Sequence, residues 1–423
     1  MRLAFALAIG VLCFVTSLEA EDYTQLGGKM TSYLPGPAAL QVFAPNVVSK
    51  ANQDLQLSGF APFHHIMSRE EGLGPRFVNS SCGGCHIENG RGPLRFDRAR
   101  ALKGGAMVIK VTGDKKLTAP VLQNHSVDGA TFHGIRLRWR RIKGSYPDGT
   151  PFSLRAPQLT FKVKNATHRK IKHSLRMTPP IIGVGLLEAI SLSDVLAKED
   201  ISDSDNDGIS GRANLVKDIR AVSISLGRFG YKASQPTVEQ QSAAALGNEM
   251  GISNSLFPVS EPLEFSDDHL HRVTVYQKLG GVPAARNQSD PVVALGKKIF
   301  FEVGCEGCHT ATFVTSSNPL EELSNQTIHP FTDLLLHDMG PGLADKHPEG
   351  MAGGREWRTT PLWGLGFSRQ LSDITPFYLH DGRARTVEEA ILWHGGEGLK
   401  SRKLFMNRSK DERHALIAFL LAL

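Results

Sequence analysis

Of the five cysteines in this 423-residue sequence, four fall in two matching frames, "CGGCH" at 82–86 and "CEGCH" at 305–309. The fifth, Cys13, lies in an apolar run from Leu3 to Val15 that follows Arg2 and leads into "TSLEAED". A positive start, a short apolar core and a small residue at Ala20 read as a secretory signal peptide, residues 1–20, cut after Ala20. The run is shorter than the ~20 residues a spanning helix needs, and no later stretch is apolar enough to enter a membrane. The sequence therefore predicts an exported, periplasmic chain without membrane insertion. Every cysteine of its mature form belongs to a C-x-x-C-H unit.

Three chemistries use paired cysteines at this spacing. A four-cysteine zinc site would have to join knuckles more than two hundred residues apart, and both histidines would go unexplained. Redox or structural disulfides suit an oxidising compartment but also ignore the histidines. Covalent haem attachment uses all three residues: two thioether bonds to the porphyrin and an adjacent imidazole for the iron. Two covalently attached haem c groups are expected, on Cys82, Cys85 and His86, and on Cys305, Cys308 and His309.

The length allows two domains. The net charge of +6 is a mild excess that reads as a solvated surface. Phe77 and Phe300 each precede the first cysteine of a unit by five residues. Before the second unit, Ser289 or Asp290 as N-cap and Pro291 in the first turn predict a helix. Near the end, Ser409 and Glu412 form a capping-box pattern before an apolar run. Residues 285–423 thus read as one cytochrome c-like haem domain and residues 21–284 as a second. Near 105–165 the period changes: "MVIKV", "IRLRWRRI" and "LTFKV" alternate, with "YPDGT" as a turn. The expected fold class is mainly α, two cytochrome c-like haem domains with a β-strand insertion in the N-terminal one. Arg136, Arg138 and Arg140 read as the wet face of a strand, and no nucleic-acid partner is expected. "THRKIKHSLRM" is a second basic cluster, with a claim to partner docking or propionate pairing.

The stretches "GLGPRFVNSSCGGCHIENGRGP", "PPIIGVGLLEAI", "DNDGISGRAN", "LGRFGYKA", "HDMGPGLAD", "WRTTPLWGLG" and "FYLHDGRARTVEEAILWHGGEG" resemble the di-haem oxidoreductase family. That family is related to bacterial di-haem cytochrome c peroxidases and to the methylamine-utilisation di-haem enzyme. The resemblance covers nearly all of the mature chain. It implies one relay haem with two protein ligands and one haem open to peroxide. "HDGRARTVEEAILWHGG" is similar to the peroxidase segment that ends on the distal ligand of the C-terminal haem. His394 takes that position, where the peroxidases have methionine and the methylamine enzyme tyrosine. A bis-histidine haem of lower potential would follow.

The same resemblance places Tyr231 where the peroxidases have a tryptophan between the haems and Gln241 on a distal glutamine. Glu249 falls on the distal acid, after a two-residue deletion. Glu188 of "GLLEAI" is the second candidate acid. Asp203, Asp205 and Asp207 with Gly208 have calcium-loop spacing, but Asn214 stands where a complete EF-hand has glutamate. The relatives hold calcium near the domain boundary, so calcium is a candidate ligand of these four residues.

The expected activity is peroxide chemistry at the N-terminal haem, with hydrogen peroxide or another small oxidant as substrate. A redox protein would serve as electron donor or acceptor. Two rivals stand beside it. One is a non-catalytic electron-transfer protein, with His64, His65, His125 or His133 closing the N-terminal iron. The other is a binding or assembly role in exported metal handling.

Overall fold

The computed structural model describes residues 22–423, apart from 93, 97–101, 115–116, 118, 130–133, 163–170 and 370–376. Eleven α helices run through the described residues. The first six are α1 (Lys50–His64), α2 (Cys82–Cys85), α3 (Val184–Ala189), α4 (Leu192–Leu196), α5 (Val238–Ala245) and α6 (Asp267–Lys278). The rest are α7 (Pro291–Glu302), α8 (Gly340–Leu343), α9 (Val387–Trp393), α10 (Leu399–Met406) and α11 (Lys410–Ala422). Two of these begin as their sequences require. Asp290 caps α7 by accepting from the Val292 amide, with Pro291 at its first position. Ser409 and Glu412 satisfy each other's backbone amides at the start of α11.

The expectation of a mainly α fold is wrong. Of the described residues, 33% are helical and 20% strand, and the described strands form eight two-stranded sheets. The sequence reading extended two helical haem modules over the whole chain. Its 42 glycines and 23 prolines instead divide the connecting segments into short extended pieces that helices cannot absorb.

The largest strands lie in the segment read as a β insertion. They are β1 (Met107–Thr112), β2 (Arg136–Ser145), β3 (Pro151–Thr160) and β4 (Lys172–Met177). β1 pairs antiparallel with β4, Met107 opposite Met177. β2 pairs antiparallel with β3, Arg136 opposite Thr160 and Ser145 opposite Pro151. Alternation puts Met107, Ile109, Val111, Leu137, Leu175 and Met177 into one apolar cluster.

Two helix pairs build the other cores. α1 packs on α6 around Phe63, Leu270, Val273 and Tyr276. α7 packs on α11 around Phe300, Leu416 and Phe419, which also meet Phe331. Residues near the N-terminus join this second core: Tyr23, Leu26, Met30 and Leu40 are buried in it. Thr31–Ser32 pairs in parallel with Val282–Pro283, and the Leu26 carbonyl accepts from the His329 amide.

Both helix pairs approach closest at a glycine. A Cβ at Gly296 would overlap the Ala415 carbonyl oxygen on α11, and one at Gly59 would overlap the Arg272 carbonyl on α6. Backbone atoms cannot rotate away as a side chain can. Gly296→Ala is therefore expected to lower stability by about 1–3 kcal/mol, the usual cost of overpacking. Chemical denaturation of the variant against wild type measures it, and an unchanged midpoint would show that α7 can slide.

Candidate haem cavities and the wall between them

The first C-x-x-C-H unit sits on the single turn α2. Ser81 caps it by accepting from the Gly84 amide. The two central residues are glycines because the surroundings are close. A Cβ at Gly83 would lie 2.7 Å from His64 Cδ2, and one at Gly84 would lie 2.5 Å from Asn79 Oδ1. Cys82, Cys85 and His86 line a cavity with about 1580 Å³ of empty space, shared with Gln241, Glu249 and Tyr231.

Burial dominates the chemistry of this cavity. It pushes the Cys82 and Cys85 thiols up to about 12, with the Glu249 carboxyl adding to the effect. Neither is the low-pKa thiol of a redox-active cysteine. Burial also lowers His86 to about 4, so its imidazole is neutral, as an iron ligand must be. His86 Nδ1 is buried without a completed hydrogen bond, although the Pro179 carbonyl acts on it as an acceptor. Glu249 is raised to about 7 by burial, which Lys110 partly offsets. It lies on a π-helical turn, Leu246–Met250, that continues α5. Such turns reset the side-chain phase along a helix and recur at functional sites.

The second unit follows α7 on a 3₁₀ turn, Cys305–Gly307. Cys305, Cys308, His309 and His394 line a second cavity, with about 1430 Å³ of empty space. The two cysteine pairs thus belong to different cavities, which removes the four-cysteine zinc site, and no disulfide joins them. His309 Nδ1 lies 2.9 Å from the Phe331 carbonyl oxygen, and His394 Nδ1 lies 2.8 Å from that of Ala390. A carbonyl oxygen only accepts, so each Nδ1 carries the hydrogen and each Nε2 keeps its lone pair. Burial keeps both rings neutral, His309 at about 4. Two imidazoles with free Nε2 lone pairs in one cavity fit a haem iron with two protein ligands, and among the described residues the first cavity offers one imidazole.

Sequence reasoning missed the charges around the second cavity. His337, which lines it, is held between Asp333 at 2.7 Å and Glu397 at 2.6 Å, and these carboxylates raise it despite burial. Its neighbour Asp338 lies in "HDMGPGLAD", quoted for the resemblance without a role for the histidine.

Tyr231, Arg358, Thr360 and Pro361 line both cavities and form the wall between them. The Tyr231 hydroxyl accepts from Arg91 at 3.3 Å. Beside it, Trp357 stacks on His380 with centroids 3.6 Å apart, and both Arg176 and Lys232 sit over its ring. Lys232 is fully buried, and burial lowers it to about 8. Its ammonium donates to the Gly353 and Glu356 carbonyls.

The remaining sequence candidates fall elsewhere. Glu188 lines neither cavity; it pairs with Lys278 at 2.5 Å and accepts from the Val238 amide, tying α3 to α5 and α6. Of the four calcium candidates, the structure brings Asp203 and Asp205 together with Asp200. Asp207 accepts from the Ile209 amide. Asn214 is buried, donating to the Lys232 and Glu349 carbonyls and accepting from the Met351 amide. His64, His65 and His125 do not line the N-terminal cavity. His65 pairs with Glu71, while His125 stacks on Phe77. His133 lies outside the described residues.

The sequence matches the family described as "Di-haem oxidoreductase, putative peroxidase" over residues 121–263 and 259–423. The chain belongs to the di-haem oxidoreductase family. No curated protein matches it. Among solved structures, it aligns with a Kuenenia stuttgartiensis hydrazine synthase pressurised with xenon. That alignment covers 100% of this chain and 99% of the other, at 14% identity and a TM-score of 0.38, too weak a likeness to bear on fold or function. No helix among the described residues is long and apolar enough to cross a membrane.

Proposed function

We propose that this family member is an exported c-type di-haem peroxidase that reacts with hydrogen peroxide in its N-terminal cavity and draws electrons through its C-terminal one. The observation that carries the reading is Glu249, an acid near neutrality inside the cavity of Cys82, Cys85 and His86. Among the described lining residues, no second imidazole competes for the iron there. The two thioethers, Met177 and Met250, are packed into neighbouring apolar clusters.

Haem, when bound, supplies the iron that takes peroxide and the redox equivalents that reduce it. The chain's own residues supply the proton transfers. The Glu249 carboxylate takes a proton from one peroxide oxygen and returns it to the other, so that water can leave. The Gln241 amide is a hydrogen-bond donor in the same cavity. Tyr231 stands between the two cavities, its hydroxyl accepting from Arg91, where its ring can pass an electron from one haem site to the other. His309 and His394 would hold the C-terminal iron. Periplasmic export rests on the signal-like N-terminus and suits covalent haem.

The test is an optical and EPR titration of purified holoprotein with hydrogen peroxide, from the oxidised and half-reduced forms. A high-spin ferric signal consumed by peroxide supports the reading. Two low-spin signals indifferent to peroxide in both forms would replace it with a non-catalytic electron carrier. Attachment has its own check. Replacing Cys82 and Cys85 by serine should lower covalent haem from two per chain to one, read by intact mass and the pyridine haemochrome spectrum.

A further inference from the structure

The hairpin of β2 and β3 carries a feature that peroxide chemistry does not use. Arg136, Arg138, Arg140, Arg141 and Lys143 are all exposed. Among the described residues, no hydrogen bond or ion pair engages the side chain of any of the five. Their cross-strand partners are Thr160, Gln158, Ala156, Arg155 and Ser153, without a carboxylate among them. Asp148, the one acid of the hairpin, is taken by Arg413 at 2.8 Å.

Successive arginines on one strand face stand about 7 Å apart, and like charges at that spacing repel. Charged residues, lysine especially, protect exposed strand edges from aggregation, but only one of these five is a lysine. A single sign, maintained along the strand, calls for a partner. The maintenance is clear from the burial. Near the root, Leu137 and Trp139 face inward and Arg136, Arg138 and Arg140 face solvent. Nearer the turn, Ile142 packs inward, and the exposed side passes to Arg141 and Lys143. The twisting hairpin presents a cation wherever it meets water.

Its inner side leads to the C-terminal cavity. The Tyr146 hydroxyl donates to Glu388 on α9, and its ring lies 6.4 Å from that of Phe405. Arg385 donates to the Ser153 carbonyl, and Arg155 donates to the Gly382 and Arg383 carbonyls. Phe405, with Val387, Ala390, Ile391 and His394 of the α9 segment, lines that cavity. The turn end of the hairpin is thus joined to the segment that lines the cavity, with Tyr146, Phe152 and Leu154 packed into the same core.

We propose that this hairpin is the docking site of a small acidic one-electron redox protein that reduces the C-terminal haem. The proposal rests on the reading of both cavities as haem sites. Each encounter oxidises the partner by one electron and leaves the C-terminal haem reduced by one. Two encounters supply the two electrons that, with two protons, convert one peroxide to two waters.

The test uses the holoprotein and, as probe, a reduced acidic c-type cytochrome in a stopped-flow mixer, with a basic c-type cytochrome as comparison. The variants are Arg138→Glu, Arg140→Glu and Lys143→Glu combined, and the same three positions changed to Gln. Dithionite reduction of the haems serves as control, since a small reductant needs no docking site. Electrostatic steering contributes about 10–10³ to an association rate. The expected result is a fall of 10-fold or more in the acidic cytochrome's rate at low salt for the Glu set and a smaller one for the Gln set. The salt dependence should flatten in both, with dithionite rates unchanged. Equal rates and salt slopes in all three proteins would overturn the proposal. So would hairpin-dependent binding to anionic phosphatidylglycerol vesicles with no dependence for the cytochrome, which would assign the stripe to a membrane surface. A chain that shows these docking effects yet ignores peroxide would sink the peroxidase reading and leave the docking site standing.

Discussion

Glu249→Gln should lower peroxide turnover by about 10²–10⁴, the range a positioned acid–base group contributes, equivalent to about 3–5 kcal/mol of barrier. The amide keeps the shape of the carboxyl and so leaves the cavity intact, but it can neither take nor return the peroxide proton. A pH signature accompanies the loss. Burial raises Glu249 to about 7, and the ionised form is the one that accepts the first proton. The wild-type kcat/KM should therefore rise with pH through about 7, and that limb should vanish in the variant. A carboxylate with an ordinary pKa would give a profile already flat there. Haem spectra and content should match wild type, which separates lost chemistry from lost cofactor. If the variant turns over peroxide at the wild-type rate, Glu249 is only a buried carboxyl.

The second large effect is expected at the other iron. His394→Met exchanges a nitrogen ligand for a thioether, and methionine ligation raises a haem potential. The C-terminal haem should become easier to reduce, by a part of the roughly 0.8 V that axial ligands command. Its low-spin EPR signal should change shape while that of the N-terminal haem does not. His394→Gly should leave the C-terminal iron high-spin and accessible to cyanide. An unchanged potential in both variants would mean that the His394 Nε2 lone pair points at something other than iron.

The C-x-x-C-H units were legible because three residue types in fixed order leave few chemical uses. The caps at Asp290 and Ser409 were legible because they depend on neighbours in sequence. The β2–β3 hairpin was readable from its period of two and the turn at 146–150. The overall class was not, because short sheets such as Thr31–Ser32 with Val282–Pro283 are set by distant partners and leave no periodicity. The same limit governs the site. Resemblance brought Tyr231, Gln241 and Glu249 to one cavity, where the structure also places them. Nothing local marked Glu188 as a lock between helices, or Arg358 as part of the wall. The His337 cluster joins residues 333, 337 and 397, and only folding reveals that they meet.

The seating of the N-terminal segment in the C-terminal core orders events in time. Tyr23 to Leu40 are synthesised first, yet their partners at 282–283 and near 329 follow far later. Contacts that span most of a chain form slowly, so the earliest residues to arrive must wait for nearly the last. Covalent haem attachment as proposed above would fall within that wait, before Cys85 is buried and Cys82 half-buried. On that reading the stitch between residues 31–32 and 282–283 would act as a latch that closes over a cofactor already in place.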